Sequence, residues 1–168
     1  MENILIIVVF AALFGLAIYY YTQYNRKNSG KSQRELMRGL LAIIDGDMPT
    51  AISRLKDAAQ SDTSNIDAYI VLSELLSRRG SFAEADRVLQ SLLRRSDLPK
   101  DKSIRTLRAS AENAMRANNT EKAIEYADKA RQLDNSPHTL DVCIRAAEST
   151  ENWEKAYRLR SELMKLDK

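Results

Sequence analysis

The sequence predicts an all-α fold: a single N-terminal transmembrane helix followed by a solenoid of about four stacked helical hairpins. Three observations point there. A phrase recurs, as Ala51-Ile-Ser-Arg-Leu55, Ala85-Asp-Arg-Val-Leu89 and Ala123-Ile-Glu-Tyr-Ala127, at intervals of 34 and 38 residues, with a weaker copy at Ala156. Self-similar helical segments at that period mark a repeat architecture in which each unit stacks on its neighbour. The composition agrees: 5 Gly and 3 Pro in 168 residues, with 44% apolar and 29% charged side chains, favour helix and exclude wholesale disorder. Lastly, the run ILIIVVFAALFGLAIYYY at residues 4–21 carries no charge.

That run, as a helix, rises about 27 Å, close to the hydrocarbon thickness of a bilayer. We therefore expect residues 1–25 to be a membrane anchor, with Ile4, Phe10 and Phe14 in the hydrocarbon. Tyr19 and Tyr20, with Tyr21 and Tyr24, would stand at the headgroup layer, where amphipathic rings are favoured. A cleaved signal peptide would need a basic start and a small-residue cleavage site; this chain begins Met-Glu-Asn and continues into tyrosines. Ala11 and Gly15 form a small-xxx-small pair, which we read as ordinary membrane-helix composition. Arg26, Lys27, Lys31 and Arg34 follow the run and no Lys or Arg precedes it, so the positive-inside rule places the remainder in the cytoplasm. The polar stretch 22–31 contains Gly and Ser and reads as a linker, with residues 26–32 as a basic connection between anchor and repeats.

Residues 33–168 form the repeat domain. Apolar periodicity predicts helix pairs at 33–44 with 49–61, 66–79 with 82–95, 102–117 with 120–133, and 137–149 with 152–166. Asp45-Gly46-Asp47, Arg79-Gly80-Ser81 and Asn118-Asn119 supply residues that tolerate left-handed backbone at helix ends. Ser136-Pro137 reads as a helix start, with serine capping and proline in the first turn. Small residues mark the close crossings: Gly39, Ser73 and Ala111 on first helices, and Ala51, Ala85, Ala123 and Ala156 on second helices. Leu55, Leu89 and Ala127 follow the alanines, whereas Arg160 breaks the pattern and suggests a capping repeat with a wet outer face. Trp153 is expected to pack against a neighbouring helix. Four extra residues at 96–103, with Pro99 discouraging continuous helix, predict a longer loop there.

These repeats resemble the tetratricopeptide family over about 135 residues. Taken with the anchor and the basic linker, the phrase from Ser77-Arg-Arg-Gly80 through Ala85-Asp-Arg-Val-Leu-Gln90-Ser-Leu-Leu93 to Asp97-Leu98 resembles the lipopolysaccharide assembly protein B family. That resemblance implies a cytoplasm-facing adaptor in a bacterial inner membrane, presenting the lipid A deacetylase to a membrane-bound AAA protease. The family continues through further repeats into a four-cysteine, rubredoxin-like metal domain. This sequence has the single cysteine Cys143, so we expect the metal-dependent part of that function to be absent or supplied elsewhere.

In such solenoids the first helix of each pair lines the concave face. One stripe of each gives Leu36, Leu40, Ile43 and Ile44; then Ile70, Glu74, Ser77 and Arg78; then Arg105, Arg108, Glu112 and Arg116; then Asp141, Arg145 and Glu148. The expected groove grades from apolar to arginine-rich. Arginine offers planar, bidentate donors, so the stripe suits an acidic peptide or protein surface, balanced against simple solvation beside Glu74, Glu112 and Glu148. Leu36, Leu40 and Ile43 form an apolar strip that invites cover by a second copy of the chain or a partner's membrane helix.

Nothing in the sequence gathers catalytic chemistry. His138 and Cys143 lie five apart, about 140° around a helix, which is poor geometry for a shared metal. Cys143 reads as a buried hydrophobe. There is no phosphate-cradling glycine loop after a strand, and the net charge of +3 without interleaved aromatics argues against nucleic acid. The reading is therefore a non-enzymatic, cofactor-free adaptor whose partners are other proteins and the bilayer. The alternative is a structural or assembly subunit of a larger membrane complex.

Overall fold

The computed structural model describes the backbone of residues 2–166 and the side chains of residues 13–20, 22–24 and 27–166. Among these residues the chain is helical with no strand, in the order α1 (Glu2–Ile44), α2 (Met48–Ser61), α3 (Ile66–Arg78), α4 (Phe82–Leu93), α5 (Lys100–Arg116), α6 (Thr120–Leu133), α7 (Pro137–Glu148) and α8 (Trp153–Leu166). It divides into two compact units, Met1–Asn65 and Ile66–Lys168.

The turn inside every pair is built the same way. Gly46, Gly80, Asn118 and Glu151 have positive φ. The amide after each donates back to Ala42, Leu76, Ala114 or Ala147, at 2.8–2.9 Å, closing the helix end in a Schellman motif. That next residue then starts the following helix. Asp47, Asn119 and Asn152 accept from the amides of Thr50, Lys122 and Lys155 through their side chains, each at 3.1 Å, satisfying otherwise orphaned donors. Four residues on, the first full helical bond is donated by Ala51, Ala85, Ala123 or Ala156. The three sequence-legible turns behave as expected; Glu151 joins them in a conformation that its side chain does not advertise.

In the first unit, α1 and α2 cross with Ala51 and Leu55 fully buried. Gly39 allows the approach, because a Cβ there would meet Leu55 Cγ at 2.9 Å. The expected linker at residues 26–32 is helix instead. Its Lys, Arg and Gln neighbours are good helix formers, so one glycine is tolerated, and Ser32 is drawn into the hairpin, donating to the Ala58 carbonyl at 2.7 Å. The expected apolar strip is also rotated. Leu36 is buried against α2 and Leu40 and Ile43 are half-buried, whereas Met37, Leu41 and Ile44 are exposed. Among the described residues no helix is long and apolar enough to cross a membrane. The side chains of Ile4 and Phe10 lie outside the described residues; Phe14, Tyr19 and Tyr20 are exposed.

The second unit stacks three pairs. Its larger core joins α5 to α8 through Leu107, Ala111, Tyr126, Leu140, Cys143 and Leu159, and a smaller one joins Ile70, Leu89, Leu92 and Ala109. Gln90 donates to the Tyr126 hydroxyl, tying α4 to α6. The extra residues near Pro99 divide between a loop at 94–99 and a lengthened α5 of 17 residues. Ser136 caps α7 by position but its side chain accepts from no amide of the helix; its hydroxyl donates instead to Asp134, as does that of Thr139. On α8 the buried residues are Ala156 and Leu159, and Arg160 is exposed and paired with Glu148. Trp153 does not pack as expected. It is 63% exposed beside Tyr157, because both lie off the stripe of Ala156, Leu159 and Leu163 that faces the core.

Two glycines separate packing from propensity. Gly39→Val should cost about 1–3 kcal/mol by overpacking against Leu55. Gly30→Ala, where a Cβ would meet nothing within 4 Å, should gain about 0.5–1 kcal/mol. Denaturant melts of the two variants check both signs.

Candidate partner-binding cleft

Within the second unit the first helices of successive pairs, α3, α5 and α7, lie side by side, and their shared surface holds a cleft of about 240 Å³. Its floor is apolar: Ile70, Ala109 and Val142 are all buried. Its walls are charged, with Glu74 from α3, Arg105, Arg108 and Glu112 from α5, and His138, Asp141 and Arg145 from α7. Helical spacing explains the gathering. Residues 105, 108, 109 and 112 recur at three and four, as do 138, 141, 142 and 145, so each set forms one stripe.

The structure thus brings together Ile70, Glu74, Arg105, Arg108, Glu112 and Arg145 of the expected groove. Ile70 serves as floor, being 2% exposed, and offers no reaching side chain. Arg78 and Arg116 do not line the cleft. Leu40 and Ile44 belong to the first unit. Ala109, His138 and Val142 were not expected to line it; the stripe through Asp141 and Arg145 would have found them.

Most of the arginines are already engaged. Arg105 meets Asp67 at 2.6 Å, beside Lys102 at 2.8 Å. Arg145 bridges Glu112 at 2.8 Å and Asp141 at 3.0 Å. Arg116 approaches Glu112 at 3.7 Å and donates to the Ser77 hydroxyl at 3.3 Å. Burial works to raise the Asp67 carboxyl, but hydrogen bonding from Lys102 and the charge of Arg105 hold it below the usual range. Among the described residues Arg108 makes no ion pair, and its charge acts at a distance on Asp134. Glu74 likewise has no ion-pair partner. Burial pushes its carboxyl up, the neighbouring Glu112 adds to this, and Arg78, Arg105 and Arg116 oppose it. The cleft is therefore not a field of free arginines. It is charge-balanced, with one unengaged cation and one poorly solvated carboxylate above an apolar floor.

Cys143 sits behind the cleft, 1% exposed, its thiol donating to the Ala127 carbonyl at 3.3 Å. Burial pushes it up to about 11, which keeps the thiol protonated at neutral pH.

Residues 42–111 match the tetratricopeptide repeat family, which agrees with the resemblance read from the recurring phrase. The chain is 20% identical over 147 residues to lipopolysaccharide assembly protein B of Escherichia coli strain K12, a match covering 87% of this chain and 38% of that protein. The counterpart from Escherichia coli O157:H7 matches with the same identity and coverage. This chain thus spans well under half the length of these curated relatives. Among solved structures, the crystal structure of MamA has the same fold, with a TM-score of 0.64 at 18% identity over 89% of this chain and 85% of that one.

Two outcomes follow from the protonation states. A Glu74 value raised above that of the unfolded chain gives stability fully present below the ordinary glutamate value, about 4.3, and lost as pH rises through the raised value. Glu74→Gln should therefore match the parent's melting temperature near pH 4 and exceed it near pH 7; a difference that does not grow with pH would contradict this. Cys143 should resist alkylation in the native state and react only as fast as the unit opens, which timed mass spectrometry measures.

Proposed function

We propose that this protein is a membrane-anchored adaptor that faces the cytoplasm from a bacterial inner membrane and holds a partner protein in the α3–α5–α7 cleft. The observation that carries the reading is the cleft itself, where Arg108 and Glu74 stand unengaged over the apolar floor of Ile70, Ala109 and Val142. An apolar floor favours burial of a partner's side chain, and an unengaged arginine rewards a carboxylate on it. Stacked helical repeats serve in general as binding surfaces, and the tetratricopeptide match supports a protein partner. The uncharged run at residues 4–21, with its tyrosines and the Lys and Arg that follow it, supports the anchor and its orientation. The likeness to lipopolysaccharide assembly protein B supports a role in regulating lipopolysaccharide synthesis. In this reading the protein binds and does no chemistry of its own.

A second reading is favoured by one observation. Met37, Leu41 and Ile44 form an exposed strip on α1, with Ile44 80% exposed. A strip of that kind suits a permanent apolar interface, with a second copy or with other subunits of a membrane complex.

Charge reversal separates the two. Arg108→Glu should abolish capture of copurifying protein by the tagged full-length chain in mild detergent, with helicity unchanged by circular dichroism. Undiminished capture, lost instead in Met37→Ser with Leu41→Ser, would retire the adaptor reading in favour of the subunit.

A further inference from the structure

A second, polar cleft of about 300 Å³ lies inside the first unit. Tyr24, Asn28 and Lys31 form one stripe of α1, and Asp57, Gln60 and Ser61 form the facing stripe of α2. Its walls are fixed from behind by fully buried Ser32, which donates to the Ala58 carbonyl at 2.7 Å and accepts from the Asn65 side-chain amide at 2.8 Å. Lys31 and Asp57 carry opposite charges into one cleft, yet among the described residues neither makes an ion pair. The space between them suits a ligand with its own two charges.

Position along α1 says where such a ligand would come from. A span beginning at residue 4 fills a hydrocarbon core of about 30 Å with about 20 residues, ending near residue 23. Tyr24 then stands at the interface. Lys31 stands about 10 Å farther along the helix, with a flexible stem that reaches back toward the headgroups. Because α2 runs antiparallel to α1, its C-terminal end returns to this level and brings Asp57, Gln60 and Ser61 with it.

The chemistry narrows the ligand. Lys31 is a point charge suited to a phosphate oxygen. Asp57 asks for a cationic N–H donor, which a primary ammonium has and a quaternary choline lacks. The hydroxyls and amides between them satisfy the remaining ester and phosphate oxygens. We propose that the α1–α2 cleft binds the headgroup of an ethanolamine-type phospholipid, phosphate toward Lys31 and ammonium toward Asp57, docking the first hairpin on the bilayer surface. This rests on the anchor reading above.

The test uses the full-length chain in phosphatidylcholine vesicles carrying a photoreactive phosphatidylethanolamine, or a phosphatidylglycerol with the same photoreactive group. Flotation is scored first and adducts are then mapped by mass spectrometry. Ethanolamine-lipid adducts should concentrate on peptides covering residues 24–31 and 57–61. Asp57→Lys and Lys31→Glu should each lower them at least about tenfold, the loss of one charge-assisted hydrogen bond, with flotation unchanged. Equal labelling by the glycerol lipid, or labelling indifferent to Asp57→Lys, would overturn the headgroup assignment while leaving the anchor standing. Competition by soluble phosphoethanolamine would overturn the bilayer as the source. Failure to float would overturn the anchor reading and the headgroup site with it.

Discussion

Everything in both units hangs on an alanine held five residues after a left-handed turn. Gly46, Gly80, Asn118 and Glu151 each end a first helix, and Ala51, Ala85, Ala123 and Ala156 each sit where the second helix crosses back, at most 3% exposed. The turn sets the register and the small methyl side chain sets the distance. A larger residue at the crossing would push the helices apart and open the small apolar interfaces behind it, since close-packed interiors relax only partly. The single glycine of this kind, Gly39, performs the same service from the opposite helix, against Leu55.

With the pairs fixed, charges set how the second unit's neighbouring pairs meet. Asp67 reaches Lys102, Asp86 reaches Lys122, Asp128 reaches Lys155 and Arg131 reaches Glu162, each linking a helix to its counterpart one pair on. These groups are partly exposed, so each pair contributes about 0–1 kcal/mol at most. Their value lies in register more than in stability. They also consume charge that sequence alone assigns to a partner. Arg105 and Arg145 spend their donors on Asp67, Glu112 and Asp141, which leaves Arg108 as the cation of the cleft with room for a ligand.

The helix pairs and their turns were legible because they depend on local chemistry: glycine or asparagine at a left-handed position, a capping side chain, and an alanine at fixed spacing. Glu151 was not legible, because its backbone follows from the same turn geometry without the residue type that usually announces it. The helical course of residues 26–32 was hidden for the opposite reason, since Gly30 signals a break that the surrounding helix formers and buried Ser32 override. The floor of the cleft could be read from period alone, as Ala109 and Val142 show. The pairing of its arginines could not, because Asp67 and Arg105 lie 38 residues apart in sequence and meet only once the pairs have stacked.

A photoreactive residue at position 138, on the wall of the α7 side of the cleft, incorporated into the full-length chain in its native membranes, asks the most direct question of the proposed function. Crosslinking there should yield one dominant protein adduct that disappears with Arg108→Glu, while the same probe at position 158 on exposed α8 yields none. An adduct pattern at position 138 no different from that at position 158 would mean that the cleft holds no partner.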